Sequence, residues 1–165
     1  QTTWPTKRWR MDRWRDLCAA LEARGARVVE LGADGESSGV GDSLLGKTTV
    51  REAACVLHQA RLLVSCDSGL MHLALAAATP VVALFGPTDP AILIRNEPNF
   101  YPIQSALPCH GYWNRAEAEP NPEICPSSHT CCLEDVSVEK VLAVIEQRIA
   151  LPIKTVDNKI EEGTT

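Results

Sequence analysis

The hydrophobic positions of the chain follow two spacings, one typical of amphipathic helices and one typical of buried strands. Apolar residues recur every three or four positions in four segments, and this spacing predicts helices at 11–27, 49–60, 68–77 and 137–149. Short unbroken apolar runs predict buried strands at 28–31, 61–66 and 81–85. Strands and helices therefore alternate along the chain.

Local signals refine the helix ends. Thr49 and Glu52 have the spacing of a capping box, and Ser137 stands where an N-cap is expected. The inner face of the second helix is predicted to be formed by Val50, Ala53, Ala54 and Leu57. That of the last helix is predicted to be formed by Val138, Val141, Leu142, Ile145 and Ile149.

The alternation predicts the fold class: a Rossmann-like parallel α/β sheet with helices on both faces. Residues 1–150 fit one domain, and residues 151–165 are expected to form a frayed tail. Residues 87–126 are rich in Pro and Asn, which predicts a long irregular excursion.

Composition narrows the functional classes. The chain has 165 residues, 45% of them hydrophobic, and a net charge of −5, which is typical of a soluble globular protein. Residues 1–27 nevertheless carry seven Lys or Arg against three Asp or Glu. An acidic chain with one basic end favours a small anionic ligand over nucleic acid, and the sequence predicts neither a signal peptide nor a transmembrane segment.

Polar residues follow each predicted strand at its carboxyl end: 32–36 after the first, Asp67-Ser68-Gly69 after the second, and 86–88 after the third. Ligands of open parallel sheets bind at this edge. Ser68 and Gly69 open a helix whose amide groups would suit a phosphate, and Asp67 and His72 could reach a sugar. The alternatives are that Asp67 is only a helix cap and that His72 is a partly buried histidine bonded to a carbonyl.

The basic amino-terminal segment offers two hydroxyls and an ammonium, from Thr2, Thr3 and Lys7. Together they could grip a diphosphate, unless this part of the chain is disordered. Trp9 and Trp14 are predicted to be core residues.

Two stretches carry a family resemblance: "CDSGLMHLALAAATPVVALFGPTDP" and the lead-in "LLGKTTVREAACVLHQARLLVS". They resemble glycosyltransferase family 9, the ADP-heptose:lipopolysaccharide heptosyltransferases, over roughly residues 2–149. The resemblance implies the carboxyl-terminal, nucleotide-sugar-binding half of a two-lobed GT-B fold, without its first strand.

The resemblance also implies residue roles. Thr2, Thr3 and Lys7 would hold the diphosphate, Glu36 would meet the ribose, and the backbone near Thr48 would meet the adenine. The residues around the sugar and phosphates would be Asp67, Ser68, Gly69, Leu70 and His72.

By the same resemblance, the complete enzyme would transfer an ADP-activated sugar with inversion and without a cofactor. Its acceptor would be the lipopolysaccharide core or a protein. The general base is expected on an amino-terminal lobe, supplied in cis or in trans, so this chain alone is expected to be inactive. The implied location is the cytoplasm or the periphery of the inner membrane.

Four of the seven cysteines cluster late in the chain, namely Cys109, Cys125, Cys131 and Cys132. Four thiolates could hold structural Zn or Fe. This cluster is also similar to the cysteine-ligated iron of some protein-glycosylating relatives. The alternative is that they are incidental thiols in a long loop.

Two other functional classes stay open at this stage. The chain could be a non-catalytic module that binds nucleotide sugars, or a metal-stapled interaction domain in which the strand-end residues are only caps.

Overall fold

A computed structural model describes residues 4–35, 37–115 and 132–148 of the chain. In chain order its elements are α1 (Met11–Ala23), β1 (Val29–Glu30), β2 (Asp42–Ser43), α2 (Val50–Gln59), β3 (Leu63–Cys66), α3 (Gly69–Ala76), β4 (Val81–Phe85), α4 (Pro90–Leu93), β5 (Phe100–Gln104) and α5 (Val138–Arg148). Two single-turn 3-10 helices lie at Pro5–Lys7 and Tyr112–Asn114.

The strands of these ranges form two parallel sheets. One has the order β3-β4-β5, with Leu63 opposite Val81 and Val81 opposite Phe100. The other is the pair β1-β2, with Val29 opposite Asp42. The predicted fold class, a parallel α/β sheet, is confirmed.

Helices cover both faces of the larger sheet. On one face, α1 and α5 contribute Leu17, Val141 and Ile145 to a core that also contains Val82 and Leu84. On the other face, α2 and α3 pack Leu57 and Met71 against Val81, Ala83 and Phe85. Because both faces are covered, every residue of β4 is buried, which explains its unbroken apolar run.

The predicted helix caps are confirmed. Thr49 and Glu52 form a complete capping box at the start of α2, and the Ser137 hydroxyl accepts a bond of 3.2 Å from the backbone N–H of Lys140. Val50 was predicted to belong to the inner face of α2, and this was wrong, since its side chain is 73% exposed. Val50 is the first residue of the helix, where a Cβ points toward the amino end, so the side chain stays largely in water.

The first strand was predicted to be buried, and this was wrong. Val29 in β1 is 37% exposed, and the strand has only two residues. β1 pairs with β2 on one side and borders an open groove on the other.

The prediction of an irregular excursion over 87–126 was wrong for its described part. Residues 100–104 form β5, which contains Pro102. A proline has no N–H to donate to a neighbouring strand, so it is tolerated mainly in edge strands. In the described part of the chain, β5 is such an edge strand. Residues 149–165, including Ile149, lie outside the described ranges.

The turn at residues 132–136 brings α5 back onto the sheet. The Trp9 indole N–H donates to the Val136 carbonyl at 2.8 Å, and the Arg13 guanidinium donates to the carbonyls of Leu133, Glu134 and Val136. Trp9 is buried and meets Trp14 edge to face, as predicted for core residues. None of the helices in the described ranges is long and apolar enough to cross a membrane.

Candidate ligand-binding site

The centre of the candidate site is a buried carboxylate at the carboxyl end of β3. Asp67 Oδ2 accepts a hydrogen bond of 2.5 Å from the Lys7 ammonium and one of 2.8 Å from the Thr88 hydroxyl. The side chains of Lys7 and Asp67 are only 15% and 8% exposed. A carboxylate buried to this extent requires such partners, because desolvation destabilises an unpaired charge.

Three separate parts of the chain meet at this carboxylate. Lys7 ends the first 3-10 helix, Asp67 follows β3, and Thr88 follows β4. Strands β3 and β4 are adjacent and parallel, so their carboxyl ends place Asp67 and Thr88 side by side. The prediction that polar residues converge at this edge is confirmed for these two strands.

Two tryptophans enclose the Lys7 ammonium. Its nitrogen lies 4.7 Å from the ring centroid of Trp4 and 5.3 Å from that of Trp113, and the two rings meet edge to face. Both distances suit a cation–π interaction. Within the described ranges, Asp67 is the acid that pairs with this ammonium, and the two rings hold it at a defined point.

Trp113 is positioned by backbone bonds to the segment that follows β4. Its N–H donates to the Pro87 carbonyl at 2.9 Å, and the N–H of Gly111 donates to the Gly86 carbonyl at 2.9 Å. The Asn114 side chain accepts from the N–H of Asp89 at 2.7 Å. Trp113 lies 46 residues from Asp67 in sequence, so the sequence pattern provided no signal that Trp113 joins the site.

The amino end of α3 lies next to Asp67. Ser68 is the N-cap, but its side chain makes no capping bond; its hydroxyl lies 2.9 Å from that of Ser65 instead. A Cβ at Gly69 would meet no atom of the described residues within 4 Å, so the first turn of α3 is open on this side within the described part of the chain. Amide groups at such an end attract anions.

The alternative that Asp67 caps α3 is wrong. Its carboxylate bonds to Lys7 and Thr88, and the capping position belongs to Ser68. His72 is exposed on α3 one turn beyond Gly69, so it is not the partly buried histidine of the other alternative.

A carboxylate that the sequence analysis missed shapes the loop after β1. Glu30 accepts a hydrogen bond from the Ser37 hydroxyl and one of 2.5 Å from the Ser38 N–H. Burial by itself would raise the pKa of Glu30, but these hydrogen bonds outweigh it and hold the pKa below its usual value. Glu30 thus ties β1 to Ser37 and Ser38.

A groove of about 1680 Å³ brings several predicted site residues together. Its lining includes Thr48, Ser68, Gly69, Leu70 and His72. Lys7 and Asp67 lie next to the same helix end, but they are not among the described residues that line the groove. Thr2, Thr3 and Glu36 lie outside the described ranges, and their roles stay predictions.

The predicted metal site is described only in part. Cys109 is half-buried and Cys132 is buried, whereas Cys125 and Cys131 lie outside the described ranges. The described residues contain no group of three or more His, Cys, Asp or Glu side chains placed to hold a metal ion. The four-cysteine site stays a prediction.

The fold and the site together define a class of protein. A parallel sheet covered on both faces, with a cation and an open helix end at its carboxyl edge, is the arrangement that binds nucleotides and other phosphorylated ligands. The chain belongs to glycosyltransferase family 9 (heptosyltransferase), whose sequence model matches residues 1–111.

Individual relatives agree with this membership. The chain is 37% identical over 98 residues to lipopolysaccharide heptosyltransferase 1 of Pseudomonas aeruginosa. The matched stretch covers 54% of this chain and 28% of that protein. It resembles the solved structure of the Escherichia coli heptosyltransferase WaaC with ADP, with a TM-score of 0.67 and 24% identity over 90% of this chain and 42% of that one.

A further solved structure is the iron-containing dodecameric glycosyltransferase TibC of enterotoxigenic Escherichia coli. It gives a TM-score of 0.79 at 22% identity, over 89% of this chain and 42% of that one. The chain therefore spans less than half the length of the relatives that it matches.

Proposed function

We propose that the chain is the donor-binding half of a heptosyltransferase and holds an ADP-heptose-type nucleotide sugar at the carboxyl edge of its sheet. The observation that carries the proposal is the Lys7 ammonium, held by Asp67 and two tryptophans beside the open amino end of α3. Family membership supports the ligand class.

The diphosphate would be bound by two sources of positive charge. Lys7 would exchange its bond to Asp67 for a phosphate oxygen, and the amide groups around Gly69 would face the same anion. Asp67 would keep its bond from Thr88, so the carboxylate stays in position to accept a hydroxyl of the sugar. Glu36 and Thr48 would meet the nucleoside, with Leu70 and His72 beside the donor.

In the transfer step, an acceptor hydroxyl would attack the anomeric carbon from the face opposite to ADP. The new C–O bond forms as the bond from that carbon to the phosphate oxygen breaks, and the configuration inverts. Lys7 and the α3 amides would stabilise the charge of the departing ADP, without any cofactor. The hydroxyl proton would pass to a general base on an amino-terminal lobe, in cis or in trans.

The proposed acceptor is the lipopolysaccharide core, with a protein acceptor as the alternative. We place the reaction in the cytoplasm or at the inner face of the membrane, where a soluble donor and an acceptor of this kind would meet. Because the chain spans less than half of its relatives, we expect it to bind the donor and to transfer nothing alone.

Titration calorimetry with ADP, UDP and GDP tests the donor class. We expect ADP to bind, and we expect UDP and GDP to bind at least about tenfold more weakly. The Lys7→Ala substitution should lower the affinity for ADP at least about tenfold. Lys140→Ala is the matched control, because it removes the same charge from an exposed site on α5. Equal binding of all three nucleotides, or no effect of Lys7→Ala, would contradict the proposal.

The alternative function is a non-catalytic module that binds nucleotide sugars without transferring them. Radiolabelled transfer to lipopolysaccharide core, after mixing the chain with a separately produced amino-terminal lobe of a relative, separates the two. Binding without transfer in every mixture would favour the module.

A further inference from the structure

Trp4 is an exposed aromatic residue beside a buried ion pair. It is 39% exposed, whereas Lys7 and Asp67 next to it are largely buried. The other exposed large hydrophobic residues of the described ranges are aliphatic, namely Val29, Val50, Ile92 and Leu93. Scattered aliphatic residues are ordinary on a protein surface. An indole on the solvent side of a buried ion pair, by contrast, is placed where a ligand of that pair would meet it.

The local backbone explains why Trp4 and Lys7 lie together. Trp4 is the N-cap of the 3-10 helix at Pro5–Lys7, and its carbonyl accepts from the Lys7 N–H at 3.0 Å. Side chains three residues apart lie above one another in a 3-10 turn. Pro5, at the first position of the turn, restricts the backbone further. The indole and the ammonium are therefore presented on the same side of a single turn.

Two contacts fix the plane of the Trp4 ring. The Lys7 nitrogen lies 4.7 Å from its centroid, and the Trp113 ring meets it with centroids 4.3 Å apart and an angle of 66° between the planes. Trp113 is itself half-buried and bonded through its N–H to the Pro87 carbonyl. An aromatic ring that is already held in place loses little further freedom when a ligand binds to it.

A fixed indole beside an acid and a cation has the chemistry to bind a sugar phosphate. The face of the indole carries partial negative charge, which attracts the C–H groups of a sugar ring. The hydroxyls of the same sugar need a hydrogen-bond acceptor, which Asp67 supplies, and a phosphate needs a cation, which Lys7 supplies. A sugar joined to a phosphate would use all three residues at once.

We infer that Trp4 stacks on the sugar ring of the donor and makes the site selective for a sugar attached to the diphosphate. The inference rests on the proposed function, since it takes the ligand to be a nucleotide sugar. Lys7 contacts both Asp67 and Trp4, so a sugar bonded to Asp67 and linked to a phosphate at Lys7 lies beside the indole. Trp113 acts through Trp4 and is a positioning residue.

Titration calorimetry with ADP-heptose and with ADP alone tests this inference. Trp4→Leu should lower the affinity for ADP-heptose at least about fivefold and that for ADP less than about twofold, because ADP lacks the sugar. Trp4→Phe keeps an aromatic face, so both affinities should stay within about twofold of the parent chain. Ile92→Ala is the control, because it removes another exposed hydrophobic side chain, on α4, and should change neither affinity.

Proton NMR of the ligand gives a second measurement that needs no variant. The sugar C–H protons of ADP-heptose should shift upfield when the parent chain is added, because they would lie over an aromatic ring. With Trp4→Leu this shift should be smaller. If Trp4→Leu does not fold, the shift with the parent chain and the affinities of Trp4→Phe decide the question.

Three results would overturn the inference. Equal losses of ADP and ADP-heptose affinity in Trp4→Leu would mean that Trp4 only positions Lys7. Unchanged affinities for both, or sugar protons that do not shift with the parent chain, would mean that the indole does not contact the sugar. In each of these cases the proposed function stands as long as the parent chain binds ADP. A parent chain that binds neither nucleotide would overturn the proposed function and this inference together.

Discussion

The two sheets of this domain have the same strand direction but very different surroundings. β4 has a strand on each side and helices above and below, and all five of its residues are buried. β1 has β2 on one side and an open groove on the other, and Val29 is more than a third exposed. Similar apolar runs in the sequence therefore end in different environments, because burial depends on which neighbours are present.

The largest expected effect is on stability, and it should differ strongly between a residue of β4 and one of β1. Phe85→Ala should lower the free energy of unfolding by about 3–5 kcal/mol, because the fully buried ring meets Phe100 edge to face at a centroid distance of 5.9 Å. Val29→Ala should lower it by less than about 1 kcal/mol, since the side chain is partly in water already. Urea denaturation of both variants measures the difference, and equal losses would contradict the comparison.

Two glycines at the carboxyl edge provide a second, smaller contrast. Gly86→Ala would place its Cβ 2.6 Å from the Cys132 Cβ and 3.2 Å from the Cys132 carbonyl oxygen, so we expect a loss of about 2 kcal/mol. The Gly69→Ala methyl would meet no atom of residues 4–35, 37–115 and 132–148 within 4 Å, and the free energy of unfolding should change by less than about 0.5 kcal/mol.

The Gly69→Ala variant should also affect ligand binding. A helical Cβ points toward the amino end of its helix, so the Gly69→Ala methyl would partly cover the amides of α3. We expect ADP affinity to fall about fivefold, or about 1 kcal/mol, in a variant that unfolds like the parent. Unchanged ADP affinity in calorimetry would show that this helix end does not contact the ligand.

The last effect concerns the smaller sheet and the segment that follows β1. Glu30→Gln should lower the free energy of unfolding by about 1 kcal/mol at pH 7, because the ionised side chain accepts bonds from Ser37 and Ser38. The pKa of Glu30 is lower in the folded chain than the ordinary glutamate value of 4.5, so the stabilisation is present above that pH and is lost as the pH falls through the folded value.

Urea denaturation of the parent and of Glu30→Gln across pH 3–7 checks whether the stabilisation by Glu30 is lost toward acid. The difference in the free energy of unfolding between parent and Glu30→Gln should shrink toward acid. A difference that grows toward acid would mean that the carboxylate destabilises the loop.

Most elements could be predicted because their signals are local. The capping box at Thr49, the N-cap at Ser137 and the apolar run of β4 depend on neighbouring residues, and all three are present as predicted. β5 escaped prediction because Pro102 and an exposed face disguise an edge strand. The burial of β1 was overestimated because a run of four residues does not reveal whether both of its sides are covered.

The sequence by itself determined the candidate residues, namely a lysine, a serine and a glycine that could bind an anion and an acid that could bind a sugar. Only the tertiary structure decided how these groups are connected. Asp67 bonds to Lys7 and Thr88, 60 and 21 residues away, and Trp113 covers the lysine. Such contacts depend on strand order and on the path of long loops, which residue spacing along the chain does not encode.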